Sequence, residues 1–261
     1  MAASIEQLLQ QNSARLWRAR EPGSGAASTA PAGLPTGYVA LDRCLPGGGW
    51  PRQGLIEILS DQRGIGEVRL LLPALAALCR DANAQVGAEA ANIEDEGYPP
   101  PRSAHAGSAM LPHERGCGGW IAWVSPPYRP YAPSLAGWGI DVARMLVVNG
   151  PGATASAAAS ATANATANAT EWAMDQALRS ETCSAVLAWA NPRDPQSLRR
   201  LQLAAEASRS LAVLYRPLQA GLTPSPAVLR LALLGNGMED GLQVRIVKSR
   251  GGRPVTVSLG H

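Results

Sequence analysis

Residues 34–59 read LPTGYVALDRCLPGGGWPRQGLIEIL, and this stretch decides the fold of the chain. It predicts a turn and a short helix, then a glycine-rich loop, and finally the apolar run GLIEIL of a buried strand. A loop at 60–66 and a helix at 67–80 are expected to follow. Proline inside a helix destabilises it by about 3 kcal/mol, so this helix is either kinked at Pro73 or begins near Leu72.

The rest of the chain alternates strands with helices until about residue 215, after which strands follow one another. This order predicts an α/β fold with a mostly parallel sheet, flanked by helices, and antiparallel strands at its C-terminal edge. The predicted strands are Gly54–Leu59, Trp120–Val124, Met145–Val148, Ala185–Trp189, Leu211–Leu214, Val228–Leu234, Leu242–Val247 and Val255–Leu259, and the later helices are Glu171–Arg179 and Pro195–Arg209.

Stretches rich in small residues divide the chain. Residues 1–33 are predicted to form an N-terminal amphipathic helix and a flexible linker, and residues 34–261 the core. Low-complexity insertions are expected at about 84–118 and 152–170. The helix packs either on its own core or on another subunit, and its candidate contact residues are Leu8, Leu9, Leu16 and Trp17.

The composition limits the kind of protein. Hydrophobic residues make up 46% and charged residues 16%, as in a packed globular domain. The N-terminus has no uninterrupted apolar run, so we expect no signal peptide. The four cysteines show no CxxC spacing, which argues against zinc and disulfides and favours a cytoplasmic location.

The strand, glycine-containing loop and helix have the layout of a phosphate cradle, which also needs a lysine, a hydroxyl and an acid. Lys248 is the single lysine of the chain and lies far from the loop. Glu67 opens the helix, the strand AVLAWANP passes through Ala190 without a carboxylate, and Ser125-Pro126-Pro127 stands where a water-activating acid is expected. The sequence therefore argues against an enzyme and predicts no cofactor, with a degenerate loop at Ser60, Gly64, Gly66 and Glu67.

Other chemical groups are scattered. His105 and His113 lie in the first insertion without metal-ligand spacing, so no metal site is predicted. No GxSxG motif occurs. Four carboxylates of the predicted core show no partner for acid–base chemistry, namely Asp42, Glu57, Asp194 and Glu206.

Several segments resemble the RecA ATPase core, and more specifically the ImuA family of bacterial translesion-synthesis-associated proteins, which is RecA-like and also described as SulA-like. They are LPTGYVALDRCLPGGGWPRQGLIEIL, GIGEVRLLLPALAAL, IAWVSPPYRPYAP and EWAMDQALRSETCSAVLAWA. The resemblance implies a RecA-like, P-loop-NTPase-type core that has lost its ATP chemistry. The position of the phosphate-loop lysine falls on Gly66 or Glu67, and that of the water-activating glutamate on Pro127.

The same resemblance implies a non-catalytic accessory or adaptor subunit in DNA-damage-induced, error-prone translesion synthesis. Its implied partners are ImuB (a Y-family polymerase homologue) and an error-prone DnaE-type polymerase, with RecA as a further candidate. It would act in the cytoplasm, at the nucleoid when active. Two alternatives stay open, a SulA-like inhibitor of cell division and a RecA-like switch that retains weak nucleotide binding.

The C-terminal segment is basic. After Asp240 it contains four cations and no acidic residue, a net charge of +4 in a chain of net charge +3. The simple interpretation is a solvated hairpin whose charges discourage edge-to-edge pairing. The functional interpretation is a contact to ImuB or a weak, salt-dependent contact to DNA phosphates, with Arg245, Lys248, Arg250 and Arg253 as its candidate residues.

Deletion of residues 1–30 tests the N-terminal hypothesis. If the helix packs on another subunit or on RecA, the shortened protein keeps its thermal unfolding midpoint but associates more weakly in sedimentation or pull-down measurements. Cooperative unfolding at a much lower temperature would assign the helix to the protein's own core instead.

Overall fold

The computed structural model describes residues 32–62, 66–81, 119–149, 160–235 and 241–259 of the chain. The eight strands found there form one sheet in the order β3-β2-β4-β5-β1-β6-β7-β8. They are β1 (Leu55–Leu59), β2 (Trp120–Val124), β3 (Met145–Val148), β4 (Cys183–Trp189), β5 (Leu211–Arg216), β6 (Leu229–Gly235), β7 (Leu242–Ser249) and β8 (Val255–Leu259).

Strands β1 to β6 run parallel, and β7 and β8 are antiparallel to their neighbours. The predicted class is therefore confirmed: a mixed α/β fold with a mostly parallel sheet and antiparallel strands at its C-terminal edge. Strand β1 lies near the centre, between β5 and β6. Strand β3 is one edge of the sheet.

Helices cover both faces. They are α1 (Val39–Asp42), α2 (72–81), α3 (Ala132–Gly137), α4 (Ser160–Arg179) and α5 (Pro195–Ala207). Because alternate strand residues point to opposite faces, each face has its own core. Ile56 and Ile58 pack with α1, α2 and α3 on what we call the first face, whereas Leu55 packs with α4 and α5 on the second face.

The helix boundaries refine two expectations. Helix α2 begins at residue 72, so Pro73 lies in its first turn, where proline is tolerated. Helix α4 begins at Ser160 rather than at Glu171, so the latter part of the 152–170 stretch is helical and not a structureless insertion. That part is rich in alanine, the strongest helix former.

Some expectations lie outside the described residues, namely those on residues 1–31 and on the insertion at 84–118. Within the described ranges, no helix is long and apolar enough to cross a membrane.

Glycine at position 37 brings the N-terminal turn against α2. Its φ of +85° is unfavourable for other residues, and a Cβ atom there would lie 2.4 Å from the Cβ atom of Pro73. This close approach fixes the segment 34–50 over the first face, where Leu41 and Trp50 are completely buried.

A buried ion cluster joins the central strands on the second face. Glu57 of β1 is completely buried and lies 3.1 Å from Arg216 of β5 and 2.8 Å from Arg230 of β6. We call these three residues the ion triad. Sequence analysis did not reveal these ion-pair partners of Glu57, since both are distant in the chain. The sheet order makes them neighbours.

The ion triad also holds the loops that leave the parallel strands. Arg216 donates to the backbone oxygen of Pro192 at 2.9 Å, after β4. Arg230 donates to the backbone oxygens of Ala220 at 2.7 Å and Thr223 at 2.9 Å, in the connection from β5 to β6. These acceptors reduce the cost of burying the two guanidinium groups, although the buried Nε atom of Arg216 has no hydrogen-bond partner among the described residues.

Substitution Glu57→Gln is expected to lower the free energy of unfolding by about 3–5 kcal/mol, because it leaves two buried guanidinium groups without a counter-charge. Chemical denaturation at neutral pH measures this loss. The matched control is Glu206→Gln, which removes an exposed ion pair to Arg250 and should lose under about 1 kcal/mol. Equal losses for the two variants would contradict a structural role of the triad.

Candidate functional site

The carboxyl ends of β1, β4 and β5 form the position at which parallel α/β sheets bind ligands. Here the described part of the loop after β1 makes contacts within the protein. Ser60 donates through Oγ to the backbone oxygen of Gln62 at 2.7 Å, and the Oδ1 atom of Asp61 accepts from the backbone N–H of Leu218 at 2.8 Å. Gly64, predicted as part of the loop, lies outside the described residues.

Three stacked aromatic rings cross the first face at this end of the sheet. The ring of Trp189 on β4 stacks on Trp123 of β2, with centroids 5.6 Å apart, and on Tyr215 of β5, with centroids 4.6 Å apart. The Tyr215 hydroxyl donates to the backbone oxygen of Glu67 at 3.1 Å. We call these three rings the aromatic ladder. Through Tyr215, the aromatic ladder connects the sheet to Glu67, which precedes α2 at the position where a phosphate cradle is expected.

The electrostatics at this position oppose phosphate binding. Glu67 is buried, and it stands at one of the two positions to which the cradle lysine was assigned. Burial raises the pKa of Tyr215 well above its ordinary value, and the negative charge of Glu67 raises it further. The hydroxyl therefore stays neutral at physiological pH. Lys248 lies elsewhere and donates to the backbone oxygen of Ser225 at 2.7 Å.

The positions expected to carry acids are occupied by other groups. Ala190 donates its backbone N–H to the Tyr215 backbone oxygen at 3.3 Å, and Pro127 is half-buried in the loop after β2. Ser125 has a left-handed backbone with φ of 53°, and its hydroxyl lies 2.7 Å from that of Thr170 on α4. The predicted positions 67, 127 and 190 thus lie at one end of the sheet, where they carry a carboxylate, a proline ring and a methyl group.

Sequence analysis missed a set of exposed aromatic and apolar side chains in the connection from β2 to β3 and on β3 itself. Tyr128 is 68% exposed, Tyr131 71% and Trp138 41%, and the edge strand β3 adds Leu146 and Val147 at 46% and 39%. We call these five residues the edge surface. The available signal was the run SPPYRPYAP, in which tyrosine and proline outnumber the apolar residues that a core helix needs.

Strand β3 leaves its outer edge open among the described residues. It pairs with β2 through Met145–Val148, and it contains no charge and no proline. Natural sheets ordinarily block such edges with charges, prolines or bulges. Tyrosine and tryptophan are also the residues most enriched at protein interfaces. The edge surface therefore has the chemistry of a protein-binding surface.

The predicted C-terminal cations do not form one cluster. Arg245 is exposed in the middle of β7, opposite Thr256, whereas Lys248 is half-buried at the end of that strand. Arg250 lies in the following turn, 3.4 Å from Glu206, and Arg253 is exposed in the same turn. The predicted N-terminal contacts lie outside the described residues, at Leu8, Leu9, Leu16 and Trp17.

Comparison with known proteins finds a distant sequence relationship. No protein-family model matches the chain. The cell division inhibitor SulA of Edwardsiella piscicida is 30% identical over 103 residues, which cover 40% of this chain and 53% of the relative. The chain is weakly homologous to SulA. It spans about half the length of this curated relative.

A crystal structure of SulA from Pseudomonas aeruginosa also matches. The match covers 62% of this chain and 97% of the SulA chain, at 17% identity and a TM-score of 0.34. The relationship to SulA therefore rests on the sequence match.

The geometry predicts that ATP does not bind. Isothermal titration of the purified protein with ATP and Mg²⁺ should show no saturable heat, and no phosphate should be released. The variant Glu67→Lys supplies the missing cation but not the hydroxyl, the metal ligand or the base, so it should not hydrolyse ATP either. A dissociation constant in the low micromolar range for the wild-type protein would contradict the prediction.

Proposed function

We propose that this protein is a non-catalytic adaptor subunit of a DNA-damage-induced translesion synthesis complex. Its core would be RecA-like and of the P-loop-NTPase type. Packed side chains would take the place of the phosphate site. In this role the protein binds other proteins and performs no chemistry. The resemblance of residues 34–59 and of later segments to the ImuA family supports the assignment of this complex.

The observation that carries the proposal is the aromatic ladder. Tyr215 and Trp189 stack at 4.6 Å at the end of the sheet where the phosphate cradle was expected, and the Tyr215 hydroxyl donates to the Glu67 backbone oxygen. Neutral stacked rings supply neither a cation for phosphate nor a ligand for Mg²⁺. The fold then serves to present surfaces.

The weak homology to SulA supports the broader part of the proposal. SulA is, by its name, an inhibitor of cell division, and the wider SulA-like group is connected with the SOS response to DNA damage. A protein of this ancestry fits a DNA-damage-associated role. The adaptor function adds the partners ImuB and an error-prone DnaE-type polymerase, and RecA as a third.

The edge surface is the best candidate for binding such a partner. Its aromatic residues Tyr128, Tyr131 and Trp138 lie between β2 and β3, beside an open strand edge. A partner that covers these rings removes exposed apolar area from water and can extend the sheet through the backbone groups of β3. Both contributions act on one continuous segment, residues 128–147.

A second candidate function is a SulA-like inhibitor of cell division. The homology to SulA favours it, and the same edge surface could bind the tubulin-like division protein. Overproduction in a bacterial host separates the two functions. Filamentous cells would support the inhibitor, whereas normally dividing cells would favour the adaptor. Genes for a Y-family and a DnaE-type polymerase beside this gene would also favour the adaptor.

A pull-down with purified ImuB, the DnaE-type polymerase and RecA tests the adaptor. The combined variant Tyr131→Ala, Trp138→Ala and Leu146→Ala should reduce the retained partner at least about tenfold, since each interface anchor contributes about 1–2 kcal/mol. The control removes equally exposed apolar groups elsewhere, with Trp172→Ala, Leu203→Ala and Leu222→Ala, and should retain the partner.

Two outcomes contradict the proposal. The wild-type protein could retain none of the three baits under conditions in which it is folded. Alternatively, the edge variant and the control variant could lose the partner equally, which would place the interface elsewhere.

A further inference from the structure

The end of the sheet opposite the aromatic ladder carries exposed arginines. Arg52 lies in the segment that enters β1, and Arg209 in the segment that enters β5, the neighbour of β1. Arg250 and Arg253 lie in the turn from β7 to β8 at the same end, since β7 ends opposite the first residue of β6. All four side chains are exposed. We call these four arginines the basic rim.

Backbone hydrogen bonds hold these segments together. The N–H of Gly54 donates to the Ala205 oxygen at 3.1 Å, which joins the entry of β1 to the end of α5. The N–H of Arg250 donates to the Val228 oxygen at 3.0 Å, and Val228 donates in turn to Leu55. Adjacent strands lie about 4.8 Å apart, so the four segments that enter or join β5, β1, β6 and β7 span about 15 Å of one surface.

The charge of this surface is strongly one-sided. The described segments 51–54, 208–210, 223–228 and 249–254 contain the four arginines and no aspartate or glutamate. Two acids lie nearby: Glu206 of α5 accepts from Arg250 at 3.4 Å and from Gln202 at 2.8 Å, and Glu181 is exposed in the segment that enters β4, the neighbour of β5. Burial lowers the pKa of Lys248 behind the rim, and the charges of Arg230 and Arg250 lower it further, whereas Glu57 raises it.

We infer that the basic rim binds the sugar–phosphate backbone of double-stranded nucleic acid without reading its sequence. Arginine suits phosphate because its planar guanidinium donates two parallel hydrogen bonds. The other exposed side chains of these segments are Gln53, Thr223, Pro224 and Pro254, so these segments lack the aromatic groups that stack single-stranded bases. It also lacks the large apolar anchors of a peptide interface. This inference goes beyond the adaptor function and does not depend on it.

The rim differs from the cluster that the sequence indicates. Arg245 lies in the middle of β7 and Lys248 is tied to Ser225, so neither belongs to it. Arg52 and Arg209 join it because the parallel pairing of β1 with β5 brings their entry segments together.

Fluorescence anisotropy with a labelled duplex of about 30 base pairs tests the inference. The purified wild-type protein should bind at low salt, and log K should fall with log salt with a slope of about −3 to −4 if all four arginines contact phosphates. The combined variant Arg52→Ala, Arg209→Ala, Arg250→Ala and Arg253→Ala should bind at least about tenfold more weakly. The double variant Arg52→Ala and Arg209→Ala should reduce the slope by about two.

The control removes the same charge from other exposed positions, with Arg129→Ala, Arg193→Ala, Arg199→Ala and Arg200→Ala, and should bind the duplex as the wild-type protein does. Circular dichroism checks the fold of each variant, and the double variant preserves the test if the quadruple variant is unstable.

Three results would overturn the inference: no binding at low salt, equal weakening by the rim and control variants, or binding of a polyglutamate peptide in place of the duplex.

Discussion

The buried carboxylate of Glu57 is the constraint on which the centre of this sheet depends. A carboxylate with no exposure to water requires counter-charges, and Arg216 and Arg230 provide them from the two strands beside β1. Further donors of the same two arginines reach the backbone oxygens of Ala220 and Pro192, so these ions also hold the loops that leave β4 and β5. Strand order, strand register and loop position are therefore joined in one cluster.

The ion triad and the aromatic ladder lie on opposite faces of the sheet and meet at β5. On the second face Arg216 pairs with Glu57 of β1, and on the first face Tyr215 stacks on Trp189 and donates to the Glu67 backbone oxygen. Neighbouring residues of β5 serve these two purposes, since successive side chains of a strand point to opposite faces. A sheet end packed in this way contributes stability, and we propose that binding takes place at the edge surface and the basic rim instead.

The strands could be predicted from the sequence because their apolar runs are local signals, and the antiparallel C-terminal edge followed from successive strands without helices between them. The ion triad could not be predicted, because Glu57 is 159 residues from Arg216 and 173 from Arg230, and only the sheet order makes them neighbours. The start of α4 was missed because an alanine-rich repeat resembles a linker as much as a helix. At the candidate site, the sequence positions of Glu67 and Ala190 were enough to show that they stand in place of the lysine and the acid of a phosphate site. The stacking of Tyr215 on Trp189 could not be predicted, because it depends on the pairing of β4 with β5.

The most direct test of this account is a crystal structure of the protein grown with a non-hydrolysable ATP analogue and Mg²⁺ at millimolar concentration. The account predicts that the rings of Tyr215 and Trp189 remain stacked at 4.6 Å, that the Tyr215 hydroxyl still donates to the Glu67 backbone, and that no nucleotide lies at the carboxyl end of β1. Nucleotide phosphates bound by the loop after β1, with Tyr215 displaced from the ladder, would contradict it.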